Sequence, residues 1–165
     1  MNTDFIFEFT ADKANRTIHI KRTFNAPLDL VWAAFTQQEI LDRWGAPAPW
    51  VAKTKYMNFE EGGRRLYEMV NPEGQQFWSV QDYTRITPKT NLHYISGFTD
   101  EEAHINPDFY GSQNELVFSE TAGITTVHIT IIYKTVEVLE MMVAKGFKEG
   151  TAATFINLDL WLAAK

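Results

Sequence analysis

Gly146-Phe147-Lys148-Glu149-Gly150-Thr151-Ala152-Ala153-Thr154-Phe155-Ile156-Asn157-Leu158-Asp159-Leu160-Trp161-Leu162 is the stretch on which the fold turns. Phe147, Thr151, Phe155, Leu158 and Leu162 recur in it at steps of 4, 4, 3 and 4, the spacing of one helical face. Ile156, Leu160 and Trp161 are expected to widen that stripe. A helix with so broad an apolar face must lie on a large apolar surface. Just upstream, Thr135 suits the cap of a helical segment running through Lys145, and Gly146 offers the bend between the two.

The surface that this helix needs is supplied by a run of strands, expected at 50–59, 64–70, 77–86, 92–98, 115–120 and 125–133. Gly62-Gly63, Asn71-Pro72-Glu73-Gly74, Thr87-Pro88-Lys89-Thr90 and Ala122-Gly123 punctuate them. Connections this short imply an antiparallel meander. Residues 99–111, with Asn106-Pro107, are expected to form the one long, mobile loop.

Further toward the N-terminus, Phe5, Phe7 and Phe9 alternate with Ile6 and Glu8, and residues 16–24 place Ile18, Ile20 and Phe24 on one side with His19, Lys21 and Thr23 on the other. A polar turn at 11–15 joins them as a hairpin. Pro27 suits the first position of a helix that carries Leu28, Val31, Trp32 and Phe35 on one stripe. Thr36-Gln37-Gln38-Glu39 matches a capping box, so a second short helix is expected from Gln37, with Ile40, Leu41 and Trp44, ending at Gly45. The order is two strands, two short helices, six strands and a terminal helix, which is an α+β layer architecture. Apolar patterning continues from Phe5 to Leu162, so the chain of 165 residues reads as one domain, 1–165.

Composition narrows the function. There is no cysteine, so disulfides, thiolate metal sites and cysteine nucleophiles are excluded, and a reducing, cytoplasmic compartment is expected. The N-terminal residues do not read as a signal peptide, and no stretch approaches the roughly 18 apolar residues of a membrane span. Net charge is −6 and no basic run exceeds Arg64-Arg65, which argues against nucleic-acid binding. Twelve Phe, 6 Tyr and 5 Trp point to a lined or bulky interior.

Several stretches, in order and spanning nearly the whole chain, resemble one family. They are Phe24-Asn25-Ala26-Pro27-Leu28-Asp29-Leu30-Val31-Trp32, Leu41-Asp42-Arg43-Trp44, Phe59-Glu60-Glu61-Gly62-Gly63-Arg64, Met69-Val70-Asn71-Pro72-Glu73-Gly74, Ile86-Thr87-Pro88 with Leu92, and Gly146-Phe147-Lys148-Glu149-Gly150. The family is that of homologues of the heat-shock protein 90 ATPase activator, within the START-like (SRPBCC, helix-grip) superfamily. The resemblance implies a curved antiparallel sheet gripping the terminal helix. Relatives usually carry a large aromatic after Gly150. Here Thr151 stands at that position, which implies a wider or wetter cavity.

Motifs of catalysis are missing. His19, His93, His104 and His128 show no metal-ligand spacing and no neighbouring carboxylate pair, so no metal or cofactor is expected. There is neither a nucleophile elbow nor a Walker loop. Glu60, Glu61, Glu68, Asp82 and Glu115 read as solvated charges on outer faces. Arg65 shares the parity of Tyr67 and Met69 and points inward. There it has two readings: a bidentate partner for a ligand carboxylate, or a side chain that pairs with a neighbouring Glu or reaches the rim.

The first reading of function is a container for a small hydrophobic, amphipathic or lipid-like ligand. By parity and family position its walls would be Trp44, Trp50, Phe59, Tyr67, Met69, Tyr94, Phe98, Phe118, Phe147, Thr151 and Phe155, with Arg65 among them and Met141 and Met142 adapting to the guest. A second reading is a cyclase- or dehydratase-like enzyme using Tyr67, Tyr94 or Arg65. The third, implied by the resemblance, is a partner that stimulates a chaperone in a stress response, as eukaryotic relatives with an additional domain do. A monomer and a homodimer both fit the sequence.

Overall fold

A computed structural model describes residues 6–165. Phe5, and the N-terminal residues read as lacking a signal, lie outside the described residues. The elements run β1 (Phe7–Asp12), β2 (Thr17–Phe24), α1 (Leu28–Thr36), α2 (Gln38–Trp44), β3 (Val51–Met57), β4 (Arg64–Val70), β5 (Gln76–Thr87), β6 (Asn91–Thr99), β7 (Ile105–Thr121), β8 (Ile124–Ile132), α3 (Val136–Ala144) and α4 (Phe147–Ala163). All eight strands form one sheet in the order β1-β2-β8-β7-β6-β5-β4-β3, and every pairing is antiparallel. This is the helix-grip α+β architecture. No described helix is long and apolar enough to cross a membrane.

Period-2 alternation sets the register. Ile20 pairs with Ile129, Ile129 with Leu116, Leu116 with Leu92, and Leu92 with Ile86. A row of apolar side chains therefore crosses the concave face. Helices α1, α2 and α4 close one end of that face around Phe24, Phe35, Trp44, Phe118 and Phe155. Phe24–Phe155, Phe35–Trp44 and Phe35–Phe118 meet edge to face with centroids 5.5, 4.9 and 5.5 Å apart, a geometry that the ring quadrupoles favour. Trp44 Nε1 donates to Ala34 O at 3.0 Å, so the indole is buried without leaving its N–H unpaired.

Arg22 shares the inward parity of Ile20 and Phe24 and is buried. Its guanidinium donates to both carboxylate oxygens of Asp159, one at 2.9 Å, which ties β2 to α4. The sequence reading passed over this inward charge.

The paired glycines behave as expected. Gly62 has φ +87°, and a Cβ at Gly63 would lie 2.0 Å from Asn58 O. Thr135 caps α3 by accepting from Val138 N at 3.2 Å.

Four expectations need correction. Residues 99–111 are not a long loop. The Asp100 carboxylate accepts from the N–H groups of Glu102 and His104, each at 2.9 Å, and this tight turn lets pairing resume at Thr99–Ile105. Pro107 falls where the β6–β7 register shifts, a place that needs no N–H donor.

The capping box does not form. Thr36 Oγ1 donates back to Trp32 O at 2.7 Å, and Gln37 is the N-cap of α2, without a side-chain cap. Pro27 is the N-cap of α1 and not its first residue, because its ψ of 157° is extended. The Leu28 N–H that follows is satisfied by Glu120 Oε1 at 3.1 Å. Ile156 and Leu160 do not widen the buried stripe: they are 55% and 67% exposed. At 100° per residue they sit one and two steps around the helix from Phe155 and Leu158, which are buried.

Candidate ligand-binding cavity

Because Cβ atoms alternate along a strand, Arg65, Tyr67 and Met69 of β4, Ser79 and Gln81 of β5, Tyr94, Ser96 and Phe98 of β6, and Ser112 and Asn114 of β7 all face the concave side. Opposite them stand Val138 and Met142 of α3, and Phe147, Thr151, Thr154 and Phe155 of α4. Between helix and sheet lies a cavity of about 360 Å³ that is open to solvent. That size falls at the lower end of ligand pockets, roughly 300–1,000 Å³.

Nine of the twelve expected wall residues line this cavity: Trp44, Arg65, Tyr67, Met69, Tyr94, Phe98, Phe147, Thr151 and Phe155. The structure does not bring the other three to it. Phe59 packs on Tyr83 at 4.9 Å and on Trp32 at 6.3 Å. Phe118 is core, against Trp32 at 5.0 Å. Trp50 packs on the exposed Phe77 with the rings tilted and their centroids 5.5 Å apart, and borders a separate depression of about 380 Å³ with Val51, Leu160 and Trp161. Of the two adaptable methionines, Met142 reaches the cavity and Met141 does not.

The sequence reading missed the polar inner row of Ser79, Gln81, Ser96, Ser112 and Asn114. A signal was present, since small polar residues occupy apolar-face positions there. Asn114 is buried, and its Nδ2 donates to Ser96 Oγ at 2.9 Å and to Ser112 O at 3.1 Å.

Arg65 is 3% exposed. Its Nε donates to Thr54 Oγ1 at 3.1 Å and its Nη2 to Asp42 Oδ1 at 3.3 Å, while its guanidinium carbon lies 3.9 Å from the Tyr67 ring centroid. The expected pairing with a neighbouring Glu is not the one seen: the acid beside Arg65 is Asp42 of α2.

Tyr94 is only partly exposed, and burial is the main reason its phenol is pushed well above the ordinary range. Burial does the same to Tyr83 and Tyr133. These hydroxyls are therefore protonated donors at neutral pH. No carboxylate, imidazole or amine is among the described lining residues.

Two polar clusters lie away from the cavity. Arg64, which alternates with Arg65, grips Asp82 with two hydrogen bonds, and Tyr110 donates to the same carboxylate at 2.6 Å. Burial alone would raise the Asp82 carboxyl, but the bonds from Arg64 and Tyr110 and the Arg64 charge outweigh it and hold it below its ordinary value. Burial, then Asp82, pushes Tyr110 up to about 12.

The second cluster corrects the expectation that no histidine sits beside carboxylates. Exposed Asp100, Glu102 and His104 place their ligand atoms within 4.8 Å of one another. His104 Nδ1 lies 2.7 Å from Asp100 Oδ2, and that hydrogen bond raises the imidazole pKa. These contacts hold the β6–β7 turn.

Solved structures share the fold. A Mycobacterium smegmatis protein, Ms6760, is 23% identical, with a TM-score of 0.87 over 98% of this chain and 99% of that one. An Arthrobacter aurescens protein is also 23% identical, with a TM-score of 0.88 over 96% and 92%. The AHSA1 protein of Silicibacter pomeroyi is 18% identical, with a TM-score of 0.68 over 90% and 98%. No curated protein matches the chain by sequence. The family model of Activator of Hsp90 ATPase homolog 1-like proteins matches residues 25–163. With a concave sheet, a gripped terminal helix and that match over most of its length, the chain belongs to the Activator of Hsp90 ATPase homolog 1-like family.

Proposed function

We propose that the protein is a container that binds one small hydrophobic or amphipathic molecule between the sheet and α4. The observation that carries this reading is the solvent-open cavity of about 360 Å³, walled by Trp44, Tyr67, Tyr94, Phe98, Phe147 and Phe155 and crossed by a short polar row. Aromatic walls supply contact area, and a few hydrogen-bonding groups fix orientation. The reading includes a cytoplasmic location, supported by a chain without cysteine.

Native mass spectrometry of freshly purified protein tests it. A population heavier by one small molecule, released when the protein is unfolded, is the expected result. Protein that carries no such molecule, and takes up none from a mixture of neutral and charged amphiphiles, would leave the cavity without an occupant and remove the proposal.

A further inference from the structure

Arg65 is the one charged side chain among the described lining residues. An inward arginine ordinarily signals an anionic guest, but this one already has an anion. Asp42 Oδ1 lies 3.3 Å from its Nη2. Asp42 is also fixed in place: Thr54 donates to it from its backbone N at 3.1 Å and from Oγ1 at 2.6 Å. The carboxylate cannot turn away from Arg65 without giving up both bonds from β3. One face of the guanidinium is covered by the Tyr67 ring.

A carboxylate guest would set a second negative charge against a guanidinium that Asp42 has matched, inside an apolar wall that supplies no other cation. Burying a charge on those terms is unfavourable. A neutral acceptor oxygen faces no such penalty. Nη1 of Arg65 and the hydroxyls of Tyr67 and Tyr94 make no hydrogen bond to a described residue, and all three are donors. A carbonyl oxygen can take over the hydrogen bonds that water makes to them in the open cavity. Val138, Met142 and Phe147 offer the apolar end.

We propose that the cavity selects neutral amphiphiles whose polar end is a hydrogen-bond acceptor (a ketone, ester or amide carbonyl) and discriminates against carboxylates, with Asp42 as the residue that sets this choice. The inference rests on the container reading.

Two fluorescent probes with the same ring system test it: 6-propionyl-2-(dimethylamino)naphthalene, a neutral ketone, and 6-(dimethylamino)naphthalene-2-carboxylate. Each is titrated into the wild-type protein and into Asp42→Asn, whose amide oxygen can still accept from Arg65 and the Thr54 hydroxyl while the bond from Thr54 N is given up. The wild type is expected to bind the ketone about tenfold or more tightly than the carboxylate, a difference of about 1.4 kcal/mol or more. Asp42→Asn is expected to improve carboxylate affinity about tenfold while leaving the ketone within about threefold.

A wild type that binds the carboxylate as tightly as the ketone would overturn the inference and leave the container intact. So would an affinity ratio unmoved by Asp42→Asn. Binding of neither probe would count against the container itself and take the inference with it. Should Asp42→Asn not fold, the wild-type ratio alone still decides.

Discussion

Thr151 stands where the family resemblance implies a large aromatic, and the structure turns its side chain into the cavity from α4, one turn after Phe147 and one turn before Phe155. Thr151→Phe should therefore move stability and binding in opposite directions. Helix propensity hardly changes, since Thr and Phe belong to the same class. The threonine makes no hydrogen bond that would be lost among the described residues.

A phenyl ring buried in space that is now open contributes about 1.5–3 kcal/mol by transfer. The cost of holding its rotamer and any local overpacking offset part of that gain. A net stabilisation of about 0.5–2 kcal/mol is expected, the usual yield of filling a cavity. In a chain of this size that is a rise in Tm of about 2–6 °C. The same ring occupies part of the 360 Å³ a guest would use, so affinity for a neutral naphthalene probe should fall about tenfold or more. Urea unfolding and fluorescence titration of one protein preparation give both numbers. Stabilisation without loss of affinity would show that the guest does not sit between α4 and the sheet. Destabilisation by more than about 1 kcal/mol would show that no space exists at this position.

Phe155→Ala should cost about 3 kcal/mol in urea unfolding, the low end for a buried aromatic, because one side of the ring already borders the cavity while the other packs on Phe24 at 5.5 Å and Trp44 at 6.1 Å; a loss well below about 1.5 kcal/mol would mean that the ring is wall and not core. Alkaline titration reads the raised phenols. A group whose folded pKa lies above its unfolded value near 10 contributes stability that is complete below that pH and is lost as pH rises through the folded value. Burial raises Tyr83, Tyr94 and Tyr133, and burial with Asp82 raises Tyr110 to about 12. Ultraviolet titration should therefore show these phenols ionising late and together with loss of the fold above pH ~10. Their ionisation near pH 10 with the fold intact would contradict the burial assigned to them.

Elements set by local chemistry were legible in the sequence. The β4 boundaries and the paired glycines that start it, the Thr135 cap and the Gly146 break all rest on residues within a turn of one another. Parity along single strands was legible too, and it placed Tyr67, Met69, Tyr94 and Phe98 on the concave face. Errors arose where a distant group decided the outcome. Thr36 has the right partner three residues on for a capping box, yet its hydroxyl donates to Trp32 O. Phe59 and Phe118 have inward-looking sequence positions, but Trp32 of α1 lies against both and turns that end of the concave face into core. Asp42 was invisible as a partner for Arg65, because they stand 23 positions apart in the chain with all of β3 between them.

The cavity itself follows from side-chain size. Between Phe147 and Phe155 the inward side of α4 carries Thr151 and Thr154, with Gly150, Ala152 and Ala153 beside them. None of these reaches far enough to fill the interval to the sheet. The facing strands are small at the same level, with Ser79, Ser96, Gly97 and Ser112 on the wall. Gly97 is small for a reason of its own: a Cβ there would lie 2.5 Å from Tyr110 Cα. Beyond Phe155 the helix changes character. Leu158 and Leu162 are buried, and Asp159 is held by Arg22 of β2. One end of α4 is thus anchored by close packing and an ion pair, Phe147 at the other end meets Phe9 of β1 with ring centroids 6.0 Å apart, and the short residues between them leave the gap open. Close packing is the rule in protein interiors, and voids larger than a water molecule are few. A gap of this size, bordered by hydroxyls and a guanidinium edge as well as by rings, holds solvent when no guest is bound. Displacing that solvent from the ring-lined part, while replacing its hydrogen bonds at Arg65, Tyr67 and Tyr94, is the source of affinity that a neutral amphiphile would find here.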